Sequence, residues 1–238
     1  MAKDTIHPAQ ACVLRELLFV LQARFAELQI ITGLSSDAFN FHMRQLLRAG
    51  WLEKQTSGTY RLTAVGKEYA NRLNSMGAIE QQPKVSVMLN VERMIDGTKE
   101  FLIQQRLKSP HRGFYGRLSG KIRCGESFAD AAQRVLAEET GLQADFTFAA
   151  IHRKSDYSDE TATLLEDKIF IVMQAEVISG TLLSQSKSGH NKWMTREAFL
   201  QLDPAQCFGS LLAYMNTIES DEKAICLEEK YTYKKDQY

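Results

Sequence analysis

The sequence predicts an α/β protein in two domains. A small, mostly helical N-terminal domain closed by a β-hairpin comes first, followed by a larger domain of strands around one acidic helix. Three observations carry this. In residues 1–73, helical periodicities are followed by a short hairpin and a last helix. Residues 74–83, NSMGAIEQQP, are polar and end in Pro, as a linker does. Residues 120–142, GKIRCGESFADAAQRVLAEETGL, read as a glycine-bounded loop entering an acidic helix, with alternating strand patterns on either side. At 238 residues the chain is long enough for two modest cores.

In the first domain, residues 11–28 repeat apolar side chains at helical spacing (Val13, Leu17, Leu18, Leu21, Phe25, Leu28) and divide near Ala23 into two helices. Gly33 marks a tight turn, and Ser35 and Ser36 are able to cap the next helix, residues 37–49. That helix is expected to turn Ala38, Phe39, Met43, Leu46 and Leu47 inward. Asp37, Asn40, Phe41, Arg44, Gln45 and Arg48 are left outward. Gly50 ends it, Trp51 to Lys54 and Tyr60 to Leu62 form a hairpin across Thr56-Ser57-Gly58, and a last helix runs to about Leu73.

In the second domain, alternation in VSVMLNVERM and EFLIQQR predicts two strands joined at Asp96-Gly97, a hairpin dipeptide. Residues 110–116 form a loop. In the acidic helix, Ser127 is positioned as the N-cap with Asp130 three residues on, and Gly141 supplies the left-handed stop. Phe128, Ala131, Ala132, Val135 and Leu136 make one apolar face, and Glu139 lies one turn beyond Val135 on the same stripe. A carboxylate there should meet a cation or emerge at a cleft. Arg134 and Glu138 form a second stripe at i, i+4, and Glu126 precedes the helix. Residues 146–152 and 168–177 read as strands, 194–202 and 204–220 as helices, and 221–238 as a polar, frayed tail.

Composition narrows the function classes. Lys plus Arg equals Asp plus Glu at 29 each, but residues 1–73 carry 9 against 6, net +3, leaving 20 against 23, net −3. The asymmetry favours an anion-binding N-terminal domain. Cys12, Cys124, Cys207 and Cys226 show no CxxC pairing, which fits a reducing cytosol. No apolar run approaches membrane-spanning length and no secretory signal opens the chain, so a cytoplasmic protein without a membrane partner is expected. Clustered carboxylates without His or Cys suit Mg²⁺ or Mn²⁺ rather than zinc.

Residues 120–142 resemble the Nudix box: Gly, five residues, Glu, seven residues, then Arg-Glu-aliphatic-x-Glu-Glu-x-Gly-aliphatic. Gly120, Glu126, Arg134, Leu136, Glu138, Glu139, Gly141 and Leu142 match, whereas Val135 stands where the pattern has Glu. The resemblance implies a Nudix α/β/α sandwich over residues 84–220. It also implies that Glu126, Glu138 and Glu139 hold a divalent cation, with Glu138, Glu139 and Arg134 as the catalytic group. Arg106, Lys121, Phe114 and Tyr115 are candidates for binding the substrate. Leu118-Ser119 replace the usual Pro-Gly before Gly120, and Arg123 stands where an acidic residue is frequent. Trp193 resembles the family's tryptophan before a late helix.

The element order of residues 1–73, with the phrases HMRQLLRAGWLEK and LTAVGKEY, resembles the winged helix-turn-helix domains of bacterial transcription regulators. Ser36, Asn40, Arg44 and Gln45 would face a major groove, and Lys54 and Arg61 on the wing would meet phosphates. The same stripe also suits an ordinary solvated face or a protein partner. The combination is similar to Nudix-related regulators of NAD and sugar metabolism, in which a degenerate Nudix domain senses ADP-ribose or a similar metabolite. In the NAD regulators the winged helix follows the Nudix domain; here it precedes it. Two readings remain at this point. One is a ligand-responsive, DNA-binding regulator that dimerises on a two-fold operator. The other is a Mg²⁺-dependent hydrolase of a nucleoside diphosphate derivative.

Overall fold

A computed structural model describes residues 6–203, 206–208, 225–235 and 237. The chain divides into two compact units, Met1–Gln81 and Gln82–Tyr238.

The first unit contains α1 (Pro8–Phe19), β1 (Ala23–Arg24), α2 (Phe25–Thr32), α3 (Ser36–Arg48), β2 (Leu52–Lys54), β3 (Thr59–Leu62) and α4 (Ala64–Asn71). The helices close on Val13, Leu14, Leu17, Leu28, Phe39, Met43, Leu46, Leu52 and Leu62. Ser35 caps α3, its side chain accepting from the Ala38 amide at 3.4 Å. Two details differ from the expectation. The wing has three strands, in the order β1-β3-β2, because the link between α1 and α2 is extended and pairs Ala23 with Tyr60. Ala38 is exposed, since it lies in the first turn of α3, beyond the reach of the core.

The second unit is an α/β/α sandwich. Its central mixed sheet runs β11 (Gly189–Met194), β5 (Thr98–Arg106), β4 (Lys84–Ile95), β10 (Leu164–Ser179), β9 (Thr147–Ser158), β12 (Ile225–Tyr233). Three short strands, β6 (Tyr115–Gly116), β7 (Ser119–Lys121) and β8 (Gln143–Ala144), pair with β5, β4 and β10. β4 and β10 run parallel, as do β9 and β12. Asp96 and Gly97, both at positive φ, turn the β4–β5 hairpin.

α5 (Phe128–Thr140) packs on one face of this sheet. Ala131, Ala132, Val135 and Leu136 meet Val87, Leu89 and Val91 of β4, Leu102 of β5, and Ile171 and Met173 of β10. Burying Val135 and Leu136 contributes about 1.5–3 kcal/mol each. Phe128 does not join them and is 48% exposed, because α5 begins there, past the sheet. The opposite face of β5 carries Phe101 and Ile103, covered by Phe199 of α6 (Arg196–Leu200) and by Met194. Met194 ends β11 rather than starting a helix, and Trp193 is a strand residue whose ring stacks under the Arg93 guanidinium at 4.3 Å. Of the helix expected over residues 204–220, only 206–208 are described, with Cys207 in a β-bridge to Tyr115; the rest lies outside the described residues.

The frayed tail expected over residues 221–238 is corrected. Ile225–Tyr233 is a strand pairing in register with β9, from Ile225 opposite Ala150 to Tyr233 opposite Ser158. The pattern ICLEEKYTY mixes charges with β-formers, and charge hid a strand that sits at one end of the sheet order. Among the described residues, no helix is long and apolar enough to cross a membrane.

Candidate functional site

The box loop and helix carry the first half of the site. The Ser127 hydroxyl accepts from the Asp130 amide at 3.1 Å and donates to the Asp130 carboxylate at 2.6 Å. Gly141 stops the helix at φ +72°. Gly120 on β7 lies against Val135. A Cβ built on it would stand 2.4 Å from Val135 Cγ2, so the close strand–helix approach depends on glycine here.

Glu126 is held at both carboxylate oxygens by Arg134, Nε at 2.6 Å and Nη2 at 2.8 Å, and accepts from the Arg123 amide at 2.9 Å. The Arg134 hydrogen bonds, and then the Arg123 amide, pull its pKa down to about 2. Glu138 receives Arg134 Nη1 at 3.4 Å on one oxygen and Arg123 Nη2 at 3.3 Å on the other. Glu139 meets neutral donors instead of a cation. Ser186 Oγ donates at 2.5 Å and Gln104 Nε2 at 3.3 Å, while Asn191 ties the Glu139 carbonyl to the Leu183 carbonyl.

This donor set does not fit a divalent cation. Every box carboxylate already has hydrogen-bond partners, two of the three are paired with guanidinium groups, and Val135 is a packed core residue. Among the described residues no group of three His, Cys, Asp or Glu side chains converges as ligands would. The Mg²⁺ or Mn²⁺ set expected from Glu126, Glu138 and Glu139 is therefore not assembled.

A second half of the site was not visible in the box. On β4 and β10 the odd-numbered residues face α5, and the even-numbered ones face away. Met88, Lys168 and Phe170, with Lys154 of β9, line a recess on that side. Arg106, His111, Gly116, Arg117, Ser119 and Phe208 complete it, around a cavity of about 50 Å³. Four of its lining side chains are cationic. Lys154 is 5% exposed; its Nζ donates to Asp156 Oδ2 at 2.9 Å and to Tyr233 Oη at 3.0 Å, and lies 2.8 Å from Asp156 Oδ1 in the ion pair.

Burial pulls the Lys154 pKa down, against the pull of Asp156. Burial alone would raise the Asp156 carboxyl, but hydrogen bonds from His111 and Lys154 outweigh it and leave it lowered. Beside them, Glu166 accepts from Lys84 at 2.9 Å and from Lys168. Arg106 donates to the Pro110 carbonyl at 3.1 Å. Its pKa is lowered by burial, while the charges of Glu166 and Glu139 oppose the shift, so Arg106 feels both halves of the site.

The other substrate candidates fall elsewhere. Lys121 is exposed on β7, its carbonyl accepting from Arg134 at 3.0 Å. Phe114 is buried among His111, Phe208 and Tyr233, and Tyr115 packs toward Phe101 and Met194 with Lys192 over its ring. Both act as loop anchors in this arrangement. Asp156 and Glu166 are buried strand residues. The period-two run His152, Lys154, Asp156 was the available signal, since three polar residues on one face of a strand need partners.

In the first unit, Ser36 and Arg44 are exposed and Asn40 half-buried, spaced four apart along α3. Gln45 accepts from Gln10 Nε2 at 2.6 Å, and Ser36 Oγ accepts from Gln29 at 3.1 Å. On the wing, Arg61 pairs with Glu53, and Lys54 sits 5.7 Å over the Tyr60 ring.

A sheet packed by a glycine-bounded acidic helix, with a charged recess on its other face, defines a Nudix-fold protein. Residues 83–209 match the NUDIX domain, more than half of the chain, and the protein belongs to that family. Among solved structures it is similar to the NUDIX domain of Shewanella oneidensis NrtR complexed with ADP ribose. That comparison has 18% identity and a TM-score of 0.50, covering 66% of this chain and 97% of that one. It is also similar to the MutT protein of Bacillus halodurans, with 22% identity and a TM-score of 0.49, covering 65% and 93%. Among curated proteins none matches.

Proposed function

We propose that this protein is a ligand-responsive transcriptional regulator. Its first unit binds duplex DNA, and its Nudix domain binds a nucleotide diphosphate rather than turning one over. The observation that carries the reading is the contrast between the two halves of the site. Two of the three box carboxylates, Glu126 and Glu138, are paired with Arg134 and Arg123, while the recess presents Arg106, Arg117, Lys154 and Lys168 with the rings of Phe170 and Phe208. Cations and rings together suit an anionic ligand with a flat base. The ADP-ribose held by the structurally similar NrtR domain makes ADP-ribose the first ligand to try.

On the DNA side, α3 enters the major groove with Asn40 and Arg44 toward base edges, and Lys54 and Arg61 meet phosphates. Gln45 is the weaker candidate because Gln10 already engages it. A homodimer would match a two-fold operator, and a cytoplasmic location belongs to the same reading. The alternative, a Mg²⁺- or Mn²⁺-dependent hydrolase, requires Glu126, Glu138 and Glu139 to leave their partners.

Mobility-shift titration against the protein's own promoter region tests the reading. A salt-sensitive shift is expected, reduced by Arg44→Ala and altered by ADP-ribose. No shift at low salt sinks the DNA half. Phosphate release from ADP-ribose with Mg²⁺, abolished by Glu139→Gln, would make the chain an enzyme instead.

A further inference from the structure

We propose that Tyr233, the last residue of β12, is a positioning residue for the anionic ligand: its hydroxyl holds the Lys154 ammonium in place at the wall of the recess. The inference rests on the nucleotide-diphosphate reading above and concerns how the recess is kept ready for that ligand.

Tyr233 does not line the recess, but it touches two residues that do, Lys154 and His111. Its Oη accepts from Lys154 Nζ at 3.0 Å, and its ring centroid lies 4.4 Å from that of His111. The backbone here is fixed as well. Tyr233 pairs in register with Ser158, and its carbonyl accepts from the Asp159 amide at 2.9 Å. The residue is buried, so the phenol oxygen has to find its partner inside the protein. Packing alone would be met by Phe. The hydroxyl is what packing does not explain, and Lys154 is what it meets.

A lysine carries its charge on a flexible four-carbon stem, and the head samples several positions unless neighbours fix it. Two neighbours fix this one. Asp156 holds it from the same face of β9, through Oδ2 at 2.9 Å, and Tyr233 holds it from the adjacent strand. The rings of Phe208, Tyr231 and Tyr233 lie 4.9, 5.3 and 5.0 Å from the ammonium. Asp156 brings a countercharge, whereas Tyr233 is neutral. Burial, and then the Asp156 charge, raise the Tyr233 pKa, so it stays a phenol through mildly alkaline pH. It therefore orients the ammonium without cancelling its charge. An anion entering the recess meets a cation already in position, which lowers the ordering cost of binding.

The hydrogen bond also affects protonation, with a definite sign. Burial pulls the Lys154 pKa down, and a hydrogen bond to the ammonium opposes that pull. Removing the Tyr233 oxygen should make Lys154 lose its proton at lower pH. Around the ammonium stand Asp156, Tyr231 and Tyr233, with Lys168 and Glu166 of β10 and, beside Asp156, His111. Tyr233→Phe keeps all of these except the Tyr233 hydroxyl, so a change in pH profile reports on Lys154.

The experiment uses the full chain. Isothermal titration with ADP-ribose is run from about pH 6.5 to about pH 9.5 on wild type, Tyr233→Phe and Lys154→Arg, with a thermal melt of each ligand-free protein. Tyr233→Phe should melt cooperatively and bind ADP-ribose about three- to tenfold more weakly at neutral pH. Its alkaline loss of affinity should begin about half a pH unit or more below that of wild type. Lys154→Arg keeps its charge at every pH in the range, so its alkaline loss should disappear. An unchanged affinity and pH profile in Tyr233→Phe overturns the inference and leaves the ligand reading intact. Weaker binding with an unchanged onset of alkaline loss overturns it too, since that is the result a purely structural role gives. Alkaline loss persisting in Lys154→Arg removes Lys154 as the titrating group and overturns the role given to Tyr233. Failure of wild type to bind ADP-ribose overturns the ligand reading and the inference with it.

Discussion

Arg134 and Glu126 form the tightest charged contact of the box, two hydrogen bonds between planar groups that match in shape. Their contribution depends on pH with a definite sign. The Glu126 carboxyl titrates near 4.5 unfolded and about 2 folded, so its stabilising effect is complete above about pH 4.5. The effect is lost as pH falls from there toward 2. Melting temperature measured against pH for wild type and Glu126→Gln should show a gap that narrows between those limits. A constant gap would mean that the pair is not formed. Lys154 and Asp156 behave differently, since both are buried and each removes the other's desolvation cost. Losing one alone leaves an uncompensated charge, the more damaging change.

The junction of β7 with α5 is where the departure from the box pattern becomes structural. Val135 fills the space over Gly120, so strand and helix approach more closely than a Cβ on the strand would allow. Gly120→Ala is expected to cost about 1–3 kcal/mol through overpacking. Val135→Ala in the same chain should relieve part of that, giving a non-additive double-mutant cycle in urea unfolding. Additive effects would show that the two residues do not touch. β12 illustrates the converse. It brings Tyr233 to Lys154 and Glu229 to within 2.7 Å of His152, so a segment near the C-terminus completes a polar network begun on β9.

The two units have separate cores, one around Leu14, Leu28 and Phe39 and the other around Leu89, Leu102 and Leu136. A fragment ending at Gln81 is expected to unfold cooperatively in thermal circular dichroism, because its buried set is satisfied internally. A featureless, non-cooperative melt would show that it needs the rest of the chain. In the intact protein, ADP-ribose should raise the transition of the Nudix unit by mass action. Any accompanying shift in the other transition would measure coupling between the ligand and the first unit.

Much could be read from periodicity and punctuation. The box helix, its Ser127 and Gly141 ends, the Asp96-Gly97 hairpin and the helix-turn-helix order follow from local residue patterns, which act over three or four residues. Local pattern also marked Glu126, Arg134, Glu138 and Glu139 as the site's first half. The recess was hidden because Arg106, Lys154 and Lys168, with Asp156 and Glu166 beside them, come together only when β5, β4, β10 and β9 pair across tens of residues. Strand β12 escaped notice for the same reason, its charges finding partners only on β9. Whether a carboxylate is a metal ligand or one half of an ion pair depends on which cation reaches it in space. Arg123 is twelve residues before Val135 in sequence, yet it bonds to Glu138, one turn further along the helix. Residue type sets what a side chain is able to do, and pairing across the sheet sets which neighbour it does it with.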